Sequence, residues 1–150
     1  MQIAQLRYLD EHSTMIEASA DAVWSALLAV VDHEFSRGTA LFVRAVGCTD
    51  TVVSGPRPLA EGSTVPGFRV AKAVPGVELA LEGRHRFSTY ALIFRIDHVD
   101  ADRSRLRAES RADFPGVPGR IYRLLVVGTR GHVLAVRRLL SGVKRRAERS

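Results

Sequence analysis

The sequence predicts an α+β fold in which a curved antiparallel β-sheet wraps around a long C-terminal α-helix. Three observations predict it: a strand-like segment followed by an amphipathic helix opens the chain, alternating apolar and charged residues fill its middle, and an apolar stripe at helical spacing follows. A sheet with one apolar face and a helix with one apolar stripe bury these surfaces best against each other. At 150 residues, with 46% apolar and 25% charged residues, we expect one domain spanning residues 1–150.

The N-terminal segment predicts a strand from Tyr8 to Ala18 and a helix directly after it. Ser19 or Asp21 can cap this helix, because their side-chain oxygens accept hydrogen bonds from the free amide groups of a first turn. The apolar residues of the helix recur at helical spacing: Val23, Trp24, Leu27, Leu28 and Val31.

The stretch from Asp32 to Glu61 is less regular. Ser54 to Pro58, with Gly62, is typical of a loop. A second short helix is possible before this loop, supported by Phe35, Leu41, Phe42 and Val46.

From Ser63 to Phe114 the apolar residues recur with a period of two, which predicts consecutive strands. Pro75-Gly76 and Asp100-Ala101-Asp102 are turn sequences within this region. The result is an antiparallel meander with one apolar and one solvated face. If the odd positions from 79 to 87 and the even positions from 90 to 98 face inward, no obvious acid–base pair occupies the inward strand positions. The inward polar side chains are then His85, Tyr90 and His98.

The C-terminal part predicts one long helix from about Gly119 to about Arg146. Pro118 suits its first turn. At about 100° per residue the helix is amphipathic, with His132 near the centre of the apolar stripe. The stripe consists of Ile121, Leu124, Leu125, Gly128, His132, Ala135, Val136, Leu139 and Val143.

The net charge of +6 is concentrated in the C-terminal segment. Residues 120–150 hold nine basic residues and one acidic residue, a net charge of +8, whereas residues 1–119 hold 13 basic and 15 acidic residues, a net charge of −2. The basic face can be a solvated helix face, a contact for an anionic membrane or nucleic acid, or a protein interface. Nucleic acid is not favoured, because no exposed aromatic residues are interleaved with the charges. A weak contact with an anionic membrane would use Arg145, Arg146 and Arg149.

The composition favours a cytoplasmic protein. Cys48 is the one cysteine and cannot form an internal disulfide. The first ten residues lack the apolar stretch of a secretory signal, and no run approaches the roughly 18–20 apolar residues of a membrane span.

Two segments resemble the START-like superfamily, which includes the polyketide cyclase/dehydrase and lipid transport proteins and the Bet v 1-like proteins (SRPBCC). Ile16 to Trp24 is similar to the opening strand-to-helix signature of that superfamily, and Gly67–Val70 with Val74–Leu79 is similar to its paired central strands. The resemblance implies a helix-grip fold with a cavity between sheet and terminal helix. It also implies that this cavity holds a small, mostly apolar molecule, without saying which molecule or whether it reacts.

The candidate ligand-binding residues are polar groups within an expected apolar lining. His132 is the strongest of them, because a neutral imidazole there can donate to a ligand carbonyl or act as an acid or base near pH 7. We expect the binding residues to be His132, Tyr90, His98, His85, Phe68, Phe94, Leu125 and Gly128. No catalytic residue is assigned.

Metal, nucleotide and serine or cysteine nucleophile chemistry lack support. The five histidines show no His-Glu-x-x-His spacing, and there is no Gly-x-Ser-x-Gly elbow, Walker loop or dinucleotide fingerprint. We therefore expect no metal and no cofactor.

The sequence is compatible with three functions. The first is binding of a small hydrophobic ligand of lipid, polyketide or aromatic type, and the second is an aromatase/cyclase-like enzyme that uses cavity histidines as acid and base. The third is an interaction scaffold or membrane-docking protein. A cavity filled by the protein's own aromatic side chains would favour the scaffold. A homodimer is possible, because a second subunit could cover the residues off the apolar stripe: Val126, Val127, Val133 and Leu134.

Overall fold

The computed structural model describes residues 3–36, 52–126 and 130–149. In this part of the chain a six-stranded antiparallel sheet packs against three α-helices, of which the last is C-terminal. The predicted α+β helix-grip architecture is confirmed.

The elements follow the predicted order. The strands are β1 (Tyr8–Ile16), β2 (Thr64–Val65), β3 (Phe68–Val74), β4 (Glu78–His85), β5 (Ser88–Asp100) and β6 (Arg103–Asp113), and a short 3₁₀ turn, Ile3–Gln5, precedes them. The helices are α1 (Ala20–Ser36), α2 (Gly116–Val126) and α3 (Gly131–Glu148). The strands lie side by side in the order β1-β6-β5-β4-β3-β2.

Helix α1 begins where the sequence predicts it. The Ser19 hydroxyl accepts a hydrogen bond from the Ala22 amide at 3.2 Å, and the Ser19 carbonyl accepts one from the Val23 amide at 3.0 Å. Trp24 packs half-buried against the core. Of the residues that support the expected second short helix, Phe35 belongs to α1, and Leu41, Phe42 and Val46 lie outside the described residues. Cys48 also lies outside them.

The strand register aligns inward-facing side chains in rows across the sheet. One row joins Asp10 on β1, Ser110 on β6, Leu92 on β5 and Leu81 on β4. Directly opposite residues in antiparallel strands point to the same face, so these four side chains share the face covered by the helices.

The expected single C-terminal helix is wrong: α2 and α3 are separate helices. Arg130, immediately before α3, has a φ of 59° in the left-handed region, which interrupts an α-helical path. The sequence contains a reason, since Gly128 and Gly131 each cost a helix about 1 kcal/mol relative to Ala. Gly128 itself lies outside the described residues.

The core lies between the sheet, α1 and α3. Its fully buried side chains include Ile16, Val23, Leu27, Leu79, Leu81, Phe94, Leu106 and Val143. The opposite face of the sheet carries ion pairs such as Arg107 with Asp97 at 2.7 Å, as the alternating charges predict. None of the helices in residues 3–36, 52–126 and 130–149 is long and apolar enough to cross a bilayer.

Candidate ligand cavity

A cavity of about 340 Å³ lies where the N-terminal half of α3 meets the sheet. Its volume falls in the range of small-molecule sites, roughly 300–1,000 Å³. The lining is mostly apolar and comes from β1, β3, β4, β5, β6, the end of α1, the Pro66-Gly67 turn, α2 and α3. It includes Leu9, Phe35, Phe68, His85, Tyr90, Leu92, Ser110, Arg111, Phe114, Tyr122, His132, Val136 and Leu139.

A continuous series of aromatic rings runs along this cavity, and we call it the aromatic wall: Phe35, Phe68, Tyr90, His85, Tyr122 and Phe114. Phe35 stacks on Phe68 with centroids 4.9 Å apart, and Phe68 meets Tyr90 edge to face at 5.1 Å. At the other end His85 meets Tyr122 edge to face at 4.7 Å. These are favourable geometries for aromatic pairs, so the wall is a defined surface of ring faces and edges.

Tyr90 is fixed within the wall by its hydroxyl. The hydroxyl donates to the Gly67 carbonyl at 2.6 Å, and the ring lies over Gly83, its cross-strand partner. A side chain at position 83 would collide with the Gly67 carbonyl and the Tyr90 ring. Glycine at this position is therefore what allows the tyrosine to reach across the sheet.

His85 is buried at the end of β4, and burial lowers its pKa below the usual value of 6.5. Its Nδ1 accepts a hydrogen bond from the Phe87 amide at 3.0 Å. Since Nδ1 accepts, the hydrogen of the neutral ring is on Nε2. His85 is thus a neutral ring that offers an N–H donor.

His132 stands in the first turn of α3 and is bound to a carboxylate that the sequence analysis did not identify. Its Nε2 lies 2.8 Å from Asp10 Oδ2, and the same oxygen lies 3.2 Å from His12 Nε2. Within the described residues, Asp10 Oδ1 and His132 Nδ1 are the buried side-chain atoms without a hydrogen-bond partner. This pair lies on β1 and α3, outside the strand positions 79–87 and 90–98 where no acid–base pair is expected.

A signal for Asp10 was present in the sequence. Ile16 is fully buried, and counting back from it with a period of two places Thr14, His12 and Asp10 on the same inward face. A register irregularity between Tyr8 and Asp10 makes Leu9 an extra residue, and Leu9 also lines the cavity. What the sequence could not show is that His132 lies within hydrogen-bond distance of Asp10, because 122 positions separate them.

The structure places the other expected site residues differently. Phe68 lines the cavity, whereas Phe94 is fully buried in the core and is not part of the lining. His98 is one of the three exposed residues that end β5 and is not part of the lining, so its expected position in the cavity is wrong. The Leu125 side chain and Gly128 lie outside what the structure describes.

Arg111 and Ser110 are further polar side chains in the lining. The Arg111 guanidinium donates to Glu109 at 2.8 Å and to the Leu6 carbonyl at 3.0 Å, so its charge is already balanced. The Ser110 hydroxyl can both donate and accept a hydrogen bond and belongs to the same lining. In the same part of the chain, no three His, Cys, Asp or Glu side chains, including Asp10, His12 and His132, are arranged to hold a metal ion.

The basic C-terminal segment also contains exposed apolar side chains. Val117, Ile121 and Leu124 on α2 are 65%, 56% and 71% exposed, and Leu134 on α3 is 67% exposed. The first three share one face of α2, since they are four and three positions apart. Arg145, Arg146 and Arg149 lie exposed at the other end of α3.

No protein-family model and no curated protein sequence matches the chain. Solved structures do match it. The Zhui aromatase/cyclase from Streptomyces sp. R1128 is similar with a TM-score of 0.60 and 18% identity over 97% of this chain and 95% of that chain. Truncated norcoclaurine synthase from Thalictrum flavum has a TM-score of 0.55 and 13% identity over 91% of this chain and 94% of that chain.

A third similar structure is CalU16 from Micromonospora echinospora, with a TM-score of 0.51 and 15% identity over 92% of this chain and 83% of that chain. At such identities the likeness shows the fold alone. It confirms the helix-grip fold that the sequence predicts.

Proposed function

We propose that this helix-grip chain is a single ligand-binding domain, residues 1–150, that binds a small aromatic molecule in the cavity. The aromatic wall is the observation that carries the proposal. Flat rings complement a surface of ring faces and edges, and each well-placed aromatic pair contributes about 0.5–1.5 kcal/mol beyond the area it buries. A saturated chain of equal size forgoes that contribution.

The polar groups of the lining favour a ligand with an oxygen at one position. His85, Ser110 and His132 are polar side chains of the lining, and His132 Nδ1 is a buried atom without a hydrogen-bond partner among the described residues. A phenol or an aryl carbonyl would satisfy them while its ring contacts the wall. Norcoclaurine synthase of the same fold has been solved in complex with dopamine and hydroxybenzaldehyde, which supports an aromatic ligand.

Isothermal titration calorimetry with three matched probes tests this proposal. The probes are 2-naphthol, its saturated analogue decahydro-2-naphthol, and 1-decanol, which have the same number of carbons. We expect 2-naphthol to bind on the order of tenfold more tightly than either of the others, since about 1.4 kcal/mol corresponds to tenfold in affinity. Tightest binding of 1-decanol would instead identify a lipid site and contradict the proposal.

A pair of variants locates the binding. Phe68→Leu removes a ring from the aromatic wall, whereas Tyr8→Leu removes a ring that is 52% exposed and is not part of the lining. We expect Phe68→Leu to weaken 2-naphthol binding on the order of tenfold and Tyr8→Leu to leave it within about twofold. Equal effects of the two substitutions would place the probe elsewhere.

A second candidate function is contact with an anionic membrane. The chain would then reside in the cytoplasm, because the cytoplasmic leaflet of the plasma membrane is anionic. The observation that favours it is the face of α2 that exposes Ile121 and Leu124 next to Arg120 and Arg123. Apolar side chains can enter the headgroup region while arginines contact lipid phosphates. This surface differs from the expected contact through Arg145, Arg146 and Arg149.

Co-sedimentation with vesicles separates these possibilities. We expect binding to phosphatidylcholine/phosphatidylserine vesicles at low NaCl and none to phosphatidylcholine alone. Leu124→Asp should abolish binding if α2 is the contact, whereas Arg145→Glu should abolish it if the end of α3 is. Absence of any salt-sensitive binding removes this candidate, and a dimer in analytical ultracentrifugation that Leu124→Asp dissociates would assign the same surface to a second subunit.

A further inference from the structure

We infer that a groove next to the cavity binds a phosphate monoester, and we call it the arginine groove. It has a volume of about 600 Å³ and lies where the segment before β1, the start of β5, the end of β6 and helix α2 meet. Its lining combines three arginines, one carboxylate, one hydroxyl and three apolar residues: Arg7, Arg120, Arg123, Asp113, Thr89, Ala112, Phe114 and Pro115. The inference goes beyond the proposed function, because the three arginines line this groove and not the ligand cavity.

The fold brings the three arginines together from distant parts of the chain. Arg120 and Arg123 share one side of α2, because they are three positions apart. Arg7 is held against the end of β6 by two hydrogen bonds of its backbone. Its carbonyl accepts from the Ala112 amide at 2.9 Å, and its amide donates to Asp113 Oδ1 at 3.3 Å. The groove is therefore a product of the tertiary structure.

The positive charge of the groove is not balanced by the protein itself. Arginines on the outer face of the sheet contact carboxylates, as Arg107 does with Asp97 at 2.7 Å. In the part of the chain that the structure describes, no ion pair involves Arg7, Arg120 or Arg123. With three arginines and one carboxylate, the lining has a net charge of +2. Such a groove attracts an anion.

A phosphate monoester matches this lining in charge and in hydrogen bonding. It carries a charge of about −1.5 to −2 at pH 7 and has three strong acceptor oxygens. A guanidinium can donate two parallel hydrogen bonds to such oxygens, and the Thr89 hydroxyl can donate a further one. A phosphate diester or a carboxylate carries a single negative charge and balances only part of the net charge of the lining.

Two features of α2 also favour an anion at this place. Phe114 and Pro115, which line the groove, directly precede Gly116, the first residue of α2. The first turn of a helix has free amide groups and a partial positive charge, so an anion beside it is stabilised. The Arg123 guanidinium lies over the Phe114 ring, 5.8 Å from its centroid, and this cation–π contact helps to hold the guanidinium beside the groove.

The phosphate can belong to a soluble molecule or to a lipid headgroup. Ile121 and Leu124 directly follow the two arginines of α2, so they lie about 100° further around the helix, where both are exposed. Apolar side chains in this position can enter a lipid surface while the arginines contact a headgroup phosphate. The chemistry that the groove recognises, a monoester phosphate, is the same for both sources.

NMR titration with glycerol 3-phosphate tests the site without using the aromatic wall, because this probe has no ring. We expect saturable shifts of the backbone amide signals of Arg120 and Arg123 at pH 7.5. Dimethyl phosphate, a diester with one negative charge, should bind on the order of tenfold more weakly. Equal affinities for the two probes would overturn the assignment to a monoester. Binding of 2-naphthol is measured separately, so failure of either ligand leaves the conclusion about the other unchanged.

A pair of double variants locates the binding. Arg120→Gln/Arg123→Gln removes two charges from the groove, whereas Arg137→Gln/Arg138→Gln removes two charges from exposed positions of α3 outside it. Glutamine and arginine have similar helix propensities, so we expect both helices to persist. The first variant should bind glycerol 3-phosphate at least tenfold more weakly, because charge-assisted hydrogen bonds are lost. The second should stay within about twofold of the wild type, and equal losses would overturn the groove as the site.

Asp113→Asn should have the opposite effect, which partial unfolding cannot imitate. The substitution removes the carboxylate charge from the groove, while the amide oxygen can still accept a hydrogen bond from the Arg7 amide. We expect glycerol 3-phosphate to bind about 3–10-fold more tightly, because the repulsion of the phosphate by Asp113 is removed. Asp102→Asn, in the turn beyond the far end of β5, is the matched control and should leave the affinity within about twofold. An unchanged or weaker affinity of Asp113→Asn would contradict the inference.

Vesicles distinguish the two sources of the phosphate. Phosphatidylcholine vesicles with 10% phosphatidic acid are compared in co-sedimentation with phosphatidylcholine vesicles that carry the same total charge as phosphatidylserine. A preference for phosphatidic acid that Arg120→Gln/Arg123→Gln abolishes supports the groove as a lipid headgroup site. Equal sedimentation with both vesicles, together with binding of glycerol 3-phosphate, supports it as a site for a soluble phosphate monoester. No shift with glycerol 3-phosphate and no preference for phosphatidic acid overturns the inference.

Discussion

The inner face of the sheet has two halves that the same strands build in different ways. In the packed half, Leu79 on β4, Phe94 on β5 and Leu106 on β6 are fully buried against the helices. In the cavity half, His85, Tyr90 and Ser110 from these same strands border a space of about 340 Å³. A few residues along each strand therefore separate a close-packed core from a site with room for a ligand.

The difference follows from what covers each half. Leu140, Val143 and Ala147 in the C-terminal part of α3 pack into the core, whereas His132 and Ala135 at its beginning border the cavity. The packed half supplies apolar burial, at about 25 cal/mol for each Å². The cavity half contains the unpartnered Asp10 and His132 atoms, which destabilise the folded state. The apolar burial of the packed half offsets this loss of stability. Stability and function therefore depend on different residues of one face.

Loss of an aromatic ring should have the largest effect and should differ most between the halves. Phe94→Ala is expected to lower the free energy of unfolding by about 3–5 kcal/mol, because it leaves a large cavity among fully buried neighbours. Phe68→Ala, in the half-buried aromatic wall, should lower the free energy of unfolding clearly less. It should also abolish the binding of 2-naphthol. Urea denaturation followed by circular dichroism measures both, and equal losses of stability would show that the two halves are packed alike.

Gly83→Ala should have the next largest effect, at the border between the halves. The added methyl group meets the Gly67 carbonyl and the Tyr90 ring, and a backbone carbonyl cannot turn away as a flexible side chain can. We expect a loss of about 3 kcal/mol and the release of the Tyr90 hydroxyl from its 2.6 Å hydrogen bond. Thermal unfolding together with the tyrosine absorbance spectrum tests this, and an unchanged Tm would contradict the close approach at Gly83.

Enlarging an alanine distinguishes the halves on a single strand. Ala108 is fully buried in the core, and Ala112, four residues further along β6 on the same face, lines the cavity. Ala108→Leu should lower the free energy of unfolding by about 2 kcal/mol, because the larger side chain overpacks the core. Ala112→Leu should leave the free energy of unfolding nearly unchanged, because its side chain extends into the cavity. Ala112→Leu should also displace 2-naphthol in calorimetry. A neutral effect at Ala108 would mean that the packed half is not close-packed.

The same comparison explains what the sequence could predict. Alternation with a period of two identified the inward residues of the packed half and also Tyr90 and His85, because both halves share one pleat. The same period applied to β1 would have identified Asp10. His98 satisfied the alternation but lies at the exposed end of β5, a property of the tertiary arrangement that a local pattern does not contain.

The helix stripe shows the other limit. Periodicity placed His132 on the apolar side, which the cavity lining bears out, but it continued the helix through Arg130, whose left-handed backbone ends that continuity. Each glycine destabilises a helix by about 1 kcal/mol relative to alanine, which is too little to outweigh a clear apolar stripe in a prediction. The contact of His132 with Asp10 required the three-dimensional fold.

The smallest expected effect is a pH dependence that belongs to the cavity half. Burial lowers the pKa of His85 below 6.5, so the unfolded chain takes up a proton on this residue at a higher pH than the folded protein does. The free energy of unfolding is therefore unaffected above about pH 7 and falls as the pH drops from there through the lowered pKa. Glu78 and Glu148, whose pKa values lie below 4.5, do not titrate in this window.

The variant His85→Phe isolates this contribution. It keeps an aromatic ring beside Tyr122 and Phe87 but removes the group that takes up the proton. Its Tm should therefore fall less between pH 7 and pH 5 than that of the wild-type protein. The difference should be roughly 2–4 °C for each kcal/mol by which protonation of His85 lowers the free energy of unfolding. His98→Phe is the matched control, and its Tm should follow the wild-type pH dependence because that side chain is exposed. All other residues are common to the wild type and His85→Phe, so the comparison isolates position 85. If His85→Phe loses as much stability on acidification as the wild type, burial does not hold His85 neutral in the folded protein.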